Sequence, residues 1–231
     1  MRLSLSLISF SLMLIIPLSP VAAESSQQLI FAHGPRSSSK IALTFDACPT
    51  VKPDEYDEKV IDILLKENVP ATLFMSGRWV EKNPEKTKLL ASQPQFEIGA
   101  HSYYHPHLME KDDERVLREL KRTQKLIRKI TGRTPQYFRP PFGEVDERIA
   151  KLAAEEGLIT VQYDIASGDP DPNLSPQKIV RSVLRDAKGG SIIVFHMNRN
   201  GVHTADVLPQ IINGLREKGF TLVTVGELLK K

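Results

Sequence analysis

From Lys40 onward the chain alternates short apolar runs with amphipathic stretches. Residues 40–45 (Lys-Ile-Ala-Leu-Thr-Phe) read as a buried strand. Residues 56–67 place Val60, Ile61, Leu64 and Leu65 on one helical face. Residues 70–76 return as a strand, 84–92 as a helix, and 95–100 as a short alternating strand. A long charged helix spans 112–130, with Val116, Leu120, Leu126, Ile127 and Ile130 as its apolar positions, and Gly132 stops it. Residues 136–138 form a strand, 146–156 a helix and 158–163 a strand. Ser175 caps a helix whose first turn holds Pro176. Segments 191–195, 204–218, 220–223 and 226–229 complete the alternation. The pattern predicts an α/β fold with a mostly parallel sheet, long enough to close into a barrel, in one domain over residues 40–231.

Polar residues with chemical potential fall at particular points of this pattern. Asp46 follows the first strand, His101 the strand ending at Ala100, Arg139 follows Tyr137-Phe138, Asp164 follows Tyr163, and His196 follows Phe195. Each stands at the carboxyl end of a strand, the face on which β/α barrels carry their active sites. One of these residues opens the run His101-Ser102-Tyr103-Tyr104-His105-Pro106. Two imidazoles four residues apart could share a metal on a helix, but Pro106 pushes His105 toward an extended or turn conformation. The pair therefore belongs to a loop just past a strand end. Taken together, an aspartate and three histidines on one face suggest metal-assisted hydrolysis.

Composition narrows the remaining choices. The 231 residues carry 26% charged and 41% hydrophobic positions, and the net charge is only +3. No basic stripe with interleaved aromatics is present, so nucleic acid is not an expected partner. Arg2, an apolar run over residues 3–18 and the small residues Val21-Ala22-Ala23 together read as a signal peptide over residues 1–23. A transmembrane anchor is the competing reading. The four serines in the run, Pro17 and Pro20, and the polar stretch that follows favour cleavage, leaving no stable membrane anchor. Residues 24–39, rich in Ser and Gln, read as a linker. Export implies an oxidising compartment, yet Cys48 is the only cysteine, so no internal disulfide forms and the core must supply stability.

The residues resemble the polysaccharide deacetylases with a NodB-homology domain, carbohydrate esterase family four. Thr44-Phe45-Asp46-Ala47-Cys48-Pro49 is similar to that family's Thr-Phe-Asp-Asp-Gly-Pro motif. His101 to Pro106 matches the second motif and Arg139-Pro140-Pro141-Phe142-Gly143 the third. Ser167-Gly168-Asp169-Pro170 and Val194-Phe195-His196 are similar to the fourth and fifth, all in the family's order across most of residues 40–229. The resemblance implies a distorted (β/α) barrel with about seven strands. It implies a divalent metal, zinc with cobalt or nickel as alternatives, on His101 and His105, with Asp46 as general base and a further candidate ligand. His196 would be the acid, tuned by Asp169, and Arg139 would hold Asp46 ionised. Pro140, Phe142, Tyr103, Tyr104 and Val194 would line the substrate groove, Val194 against the acetyl methyl. The implied substrate is an acetylated glycan, with secretion or the periplasm as location.

One departure changes this picture. The family's second aspartate, a metal ligand, is Ala47 here, and alanine cannot coordinate. Water, or Asp46, Asp164 or Asp169 as oxygen donors, could fill the position, or the metal could be lost. Cys48 is a conceivable soft ligand but reads foremost as a small buried hydrophobe. Trp79 reads as packing before sugar stacking, and His33 and His203 as surface residues. Three functions follow: an N-acetyl hydrolase of an N-acetylglucosamine polymer, an O-acetyl esterase or small-amide hydrolase of the same mechanism, or a catalytically silent glycan-binding module. The leader pattern predicts a mature N-terminus at Glu24, which mass spectrometry of protein from its native host reads directly. Full-length protein retained in the cytosol contradicts it.

Overall fold

The computed structural model describes residues 28–50 and 56–230. The signal-peptide segment and residues 24–27 lie outside them. The central strand is β2 (Lys40–Ala47), whose two faces separate cleanly. Ile41, Leu43, Phe45 and Ala47 belong to the main apolar core. Ala42, Thr44 and Asp46 take the opposite face, as the two-residue period of a strand requires. Ala42 joins a smaller inner cluster with Phe74, Tyr137, Val161, Ile192, Val223, Val225 and Leu228.

Strand β2 pairs in parallel with β3 (Ala71–Met75) and β8 (Ile192–His196), and its first residues pair with β9 (Thr221–Val223). The remaining strands are β1 (Ile30–Phe31), β4 (Phe96–Ala100), β5 (Tyr137–Phe138), β6 (Ile159–Val161) and β7 (Ile165–Ala166). The order is β1-β6-β5-β4-β3-β2-β8-β7. Strands β6 and β7 lie near opposite ends of that order, yet only residues 162–164 join them. A link of four Cα steps reaches at most about 14 Å, so the sheet curls until its ends approach. The result is a distorted (β/α) barrel.

Eight helices cover its outside or its ends among the described residues: α1 (Glu58–Lys66), α2 (Gly77–Lys82), α3 (Pro84–Ser92), α4 (Asp113–Thr131), α5 (Glu147–Glu155), α6 (Pro176–Asp186), α7 (Thr204–Glu217) and α8 (Val225–Leu229). Their ends carry the expected chemistry. The Asp112 side chain accepts from the Arg115 amide at the start of α4, and Gly132 ends that helix at φ 73°, a left-handed conformation that glycine adopts without strain. Ser175 accepts from Lys178 at the start of α6. None of the described helices is long and apolar enough to cross a membrane.

Three features depart from the sequence pattern. All seven expected strands form, but β1 and β7 bring the sheet to nine. The stretch read as a linker is, over its described part, built into the fold. Ile30 and Phe31 pair with Thr160 and Val161, and the Gly34 amide donates to the Gly190 carbonyl at 2.8 Å. Helix α2, six residues long, was not expected. It starts where Ser76 accepts from the Trp79 amide, and it ends at Asn83 before Pro84 opens α3.

Gly77 is buried at the first position of α2, and a Cβ there would lie 2.1 Å from Cδ2 of Tyr103. Gly77→Ala should therefore destabilise the protein by about 1–3 kcal/mol through overpacking. A urea unfolding midpoint equal to wild type would show that the Tyr103 ring yields freely.

Candidate active site

The carboxyl ends of the strands converge on a cleft of about 650 Å³ that contains Asp46, Cys48, His101, His105, Asp169 and His196 in its lining. Asp46 and His196 are paired residues on adjacent strands β2 and β8. His101 follows β4, and Arg139 follows β5, with the Arg139 amide donating to the Ala100 carbonyl at 2.9 Å. Register thus brings residues separated by up to 150 positions onto one rim.

Arg139 organises one side of the cleft. It is 1% exposed, and its Nη1 donates to Asp46 Oδ1 at 2.8 Å. Burial pushes the Asp46 carboxyl upward, but Arg139, His101 and His196 outweigh that and hold it below the usual carboxylate range. The guanidinium also packs over the Phe74 ring, 4.2 Å from its centroid. The Arg139 backbone carbonyl meets His101 Nδ1 at 2.8 Å. A carbonyl only accepts, so Nδ1 carries a hydrogen, and Nε2 is the nitrogen that faces the cleft. That nitrogen lies 3.6 Å from Cys48 Sγ and 3.8 Å from Asp46 Oδ2.

The histidine loop is held in an unusual backbone. Ser102 and His105 both have positive φ, 54° and 59°. Residues of this kind need outside restraint. The Gly77 and Arg78 amides donate to the Ser102 and Tyr103 carbonyls at 2.8 and 2.9 Å, and the His105 amide donates to Ser102 Oγ at 3.1 Å. Glu119 of α4, 2% exposed, accepts from the Tyr103 and Tyr104 amides at 2.8 and 2.7 Å, while Arg115 pairs with its other oxygen at 2.8 Å. Against α4, Glu119 reads in the sequence as one surface charge among many.

On the other side, Asp169 is 1% exposed and fully engaged. It accepts from Ser167 Oγ, Thr204 Oγ1, the His196 amide and His196 Nδ1, the last at 3.2 Å. Burial works against a charged His196 ring. Asp169, with smaller help from Cys48 and Asp46, overcomes it and raises the imidazole to about 10. Burial likewise pushes the Cys48 thiol up, but hydrogen bonds with His101, His105 and His196 bring it well below the ordinary thiol range.

Most of the expected residues meet here, and some do not. Phe142 and Val194 line the cleft. Phe142 is 52% exposed at φ 59°, stacked on His107 at 4.0 Å and edge-on to His105 at 4.5 Å. Tyr103 does not line the groove: it is 1% exposed, packed under the Arg122 guanidinium at 3.7 Å. Tyr104 is exposed, but it borders a different groove beside Arg115 and Arg122 on α4. Pro140 is buried and outside the cleft lining. Asp164 sits at the wrong end of the sheet. The break at 162–164 resets the chain, so Asp164 precedes β7 and anchors the start of β8, accepting from the Ile192 amide at 2.8 Å and pairing with Arg36 at 2.8 Å. Neither Asp164 nor the saturated Asp169 is a candidate metal ligand. Trp79 is buried packing. Tyr163 and Arg199 line the cleft without having been singled out in the sequence, and Arg199 lies three residues past His196.

The two imidazoles and the Cys48 sulfur offer donor atoms within 4.8 Å of one another, two nitrogens and a soft sulfur that fit a divalent ion of the zinc type. A buried carboxylate held by an arginine, an imidazole held by a second carboxylate and such a donor set meet at the carboxyl end of a barrel, the arrangement of a barrel hydrolase. Residues 33–161 match the family profile described as polysaccharide deacetylase, and the chain belongs to that family, carbohydrate esterase family four. A peptidoglycan-N-acetylglucosamine deacetylase of Bacillus cereus is 32% identical over 199 residues, which cover 85% of this chain and 70% of that protein. The solved Bc1960 peptidoglycan N-acetylglucosamine deacetylase, in complex with 4-naphthalen-1-yl-N-oxidanyl-benzamide, superposes with a TM-score of 0.79 at 32% identity, covering 87% of this chain and 92% of that one. A family pseudoenzyme from Bacillus anthracis also superposes at 0.79, with 26% identity, covering 87% and 69%.

The Glu119 clamp is directly testable. Glu119→Ala removes the acceptor for two loop amides, and at the usual cost of a buried unpaired donor the loss is about 2–4 kcal/mol. Glu119→Gln, which keeps one acceptor oxygen, should lose less. Equal urea midpoints for wild type and Glu119→Ala would show that the loop does not depend on this carboxylate.

Proposed function

We propose that the protein is an exported, metal-dependent hydrolase that removes N-acetyl groups from an N-acetylglucosamine-containing polymer such as peptidoglycan or a chitin-like glycan. The observation that carries this reading is the paired acid–base machinery across one cleft: Asp46 held by Arg139, and His196 held by Asp169. A module that only binds glycan has no use for a buried carboxylate kept ionised opposite an imidazole kept protonated. The names of the relatives support the polymer class and a location outside the cytoplasm, secreted or periplasmic.

His101 and His105 would hold the ion, with zinc favoured and cobalt or nickel as alternatives. When bound, such an ion supplies Lewis acidity, drawing electron density from the acetyl carbonyl and lowering the pKa of water beside it. Asp46, ionised by Arg139, accepts the proton of the attacking water. His196 begins protonated and gives its proton to the departing amine as the C–N bond breaks, leaving acetate and a free amino sugar. Asp169 fixes the ring so that Nε2 is the atom that faces the reaction. Val194 and Phe142 contribute apolar surface, the first small enough to sit against the acetyl methyl.

Asp46→Asn should lower turnover by about 10² to 10⁴, the usual range for lost general acid–base catalysis, in an acetate-release assay on chitin oligomers. Undiminished release would remove Asp46 as the base. His196→Ala should damage amide substrates more than activated acetyl esters, because an amine needs protonation and an activated phenolate does not. Equal losses on both would assign His196 another role.

Activity on this reading also requires protonated His196, so it falls as pH rises through the His196 pKa. Asp169 stabilises the imidazolium, and removing its charge lets the proton leave earlier. Asp169→Asn should therefore move the alkaline limb of the rate profile to lower pH. A limb that stays in place, or moves upward, contradicts the assignment.

A further inference from the structure

We infer that Cys48 is the third metal ligand, in place of the aspartate the family carries one residue earlier, making this a Cys-His-His site for a soft or borderline divalent ion. The inference rests on the metal-dependent reading above and goes beyond it in naming the ligand and the class of ion.

Strand alternation is the first argument. Asp46 faces the cleft, and Ala47, the last residue of β2, belongs to the main core beneath the helices. A period of two returns residue 48 to the Asp46 side, and Cys48 indeed lines the cleft. Substituting a carboxylate at position 47 would place it against that apolar core in this backbone. The position with access to both histidines is 48. Asn198 fixes it there, its Nδ2 donating to the Cys48 carbonyl at 2.8 Å.

Distance is the second argument. Zinc–sulfur and zinc–nitrogen bonds of about 2.3 and 2.05 Å at a tetrahedral angle put sulfur and nitrogen about 3.6 Å apart. Cys48 Sγ lies 3.6 Å from His101 Nε2. The other separations in the trio are all within 4.8 Å. Asp46 fits less well. One of its oxygens is committed to Arg139 at 2.8 Å, an ion pair that holds the carboxylate away from rotation toward the histidines, with its other oxygen 3.8 Å from His101 Nε2. His101 is already oriented for ligation, because its Nδ1–H is used on the Arg139 carbonyl.

Cys48 would bind as the thiolate, the form in which a cysteine ligates metal. Thiolate and two imidazoles favour zinc and cobalt over manganese and magnesium, which prefer oxygen.

Because Cys48 is the only cysteine, cobalt reports on it without ambiguity. The metal-free full chain is titrated with cobalt(II) and its near-ultraviolet absorption recorded, beside Cys48→Ser and Cys48→Asp. The expected result is one ion per chain with a thiolate-to-cobalt charge-transfer band in wild type alone. Cys48→Ser should weaken zinc by more than the roughly 10–100-fold typical of losing a hydrogen-bond partner behind a ligand. Cys48→Asp should bind again without the band, with manganese gaining on zinc. Wild type binding one cobalt with no such band overturns the Cys48 assignment and leaves the metal-dependent reading standing. Folded wild type that takes up neither cobalt nor zinc overturns both. The wild-type spectrum decides the matter even if Cys48→Ser fails to fold.

Discussion

The buried pair of Arg139 and Asp46 is the interaction on which the site depends. Two charges taken out of water are stable only when their geometry and remaining hydrogen bonds are satisfied, and breaking such a pair from one side typically costs about 3–5 kcal/mol. Arg139 meets most of that demand with an ion pair at 2.8 Å, a second donation to the Gln162 carbonyl and a stack on Phe74, while its buried Nε has no hydrogen-bond partner among the described residues. The same residue orients His101 through its backbone carbonyl. One side chain and one carbonyl thus fix Asp46 and His101 together. Strand pairing makes this possible, since β5 delivers Arg139 beside the end of β4.

Opposite it, Asp169 is the second fixed charge. Its four donors leave it no freedom to rotate, so His196 inherits both its position and its proton affinity. Between the two anchored pairs lies the donor trio of Cys48, His101 and His105. The relationship to both a peptidoglycan deacetylase and a family pseudoenzyme makes the local chemistry, rather than the fold, the deciding ground for activity.

Much of this was legible in the sequence because strand ends are marked by abrupt changes from apolar to charged residues. Asp46, His101, Arg139 and His196 each follow such a run, and the barrel turns those positions into one rim. Strand β1 was not legible because two residues are too few to show alternation, and α2 because six residues barely complete its turns. Asp164 misled because the three-residue break between β6 and β7 is invisible to periodicity, though it reverses which end of a strand the residue marks. Tyr103 misled for a different reason: proximity in sequence to two histidines says nothing about which side of a loop faces the protein. Glu119 was hidden among the charges of α4, its role visible only once the loop amides are seen to end on it. Cys48 was read foremost as a small apolar filler: strand alternation puts it on the Asp46 face, but only the structure shows its sulfur beside His101 and His105.

The central claim is that this cleft hydrolyses acetamides on a glycan rather than merely binding one. Acetate and free amine released from N-acetylglucosamine oligomers by the zinc-loaded wild-type protein test it most directly. The account predicts acetate and newly exposed amine in equal amounts, accumulating over many turnovers. Folded, zinc-loaded protein that binds the oligomers but releases neither product would contradict it and place the chain with the family's silent members.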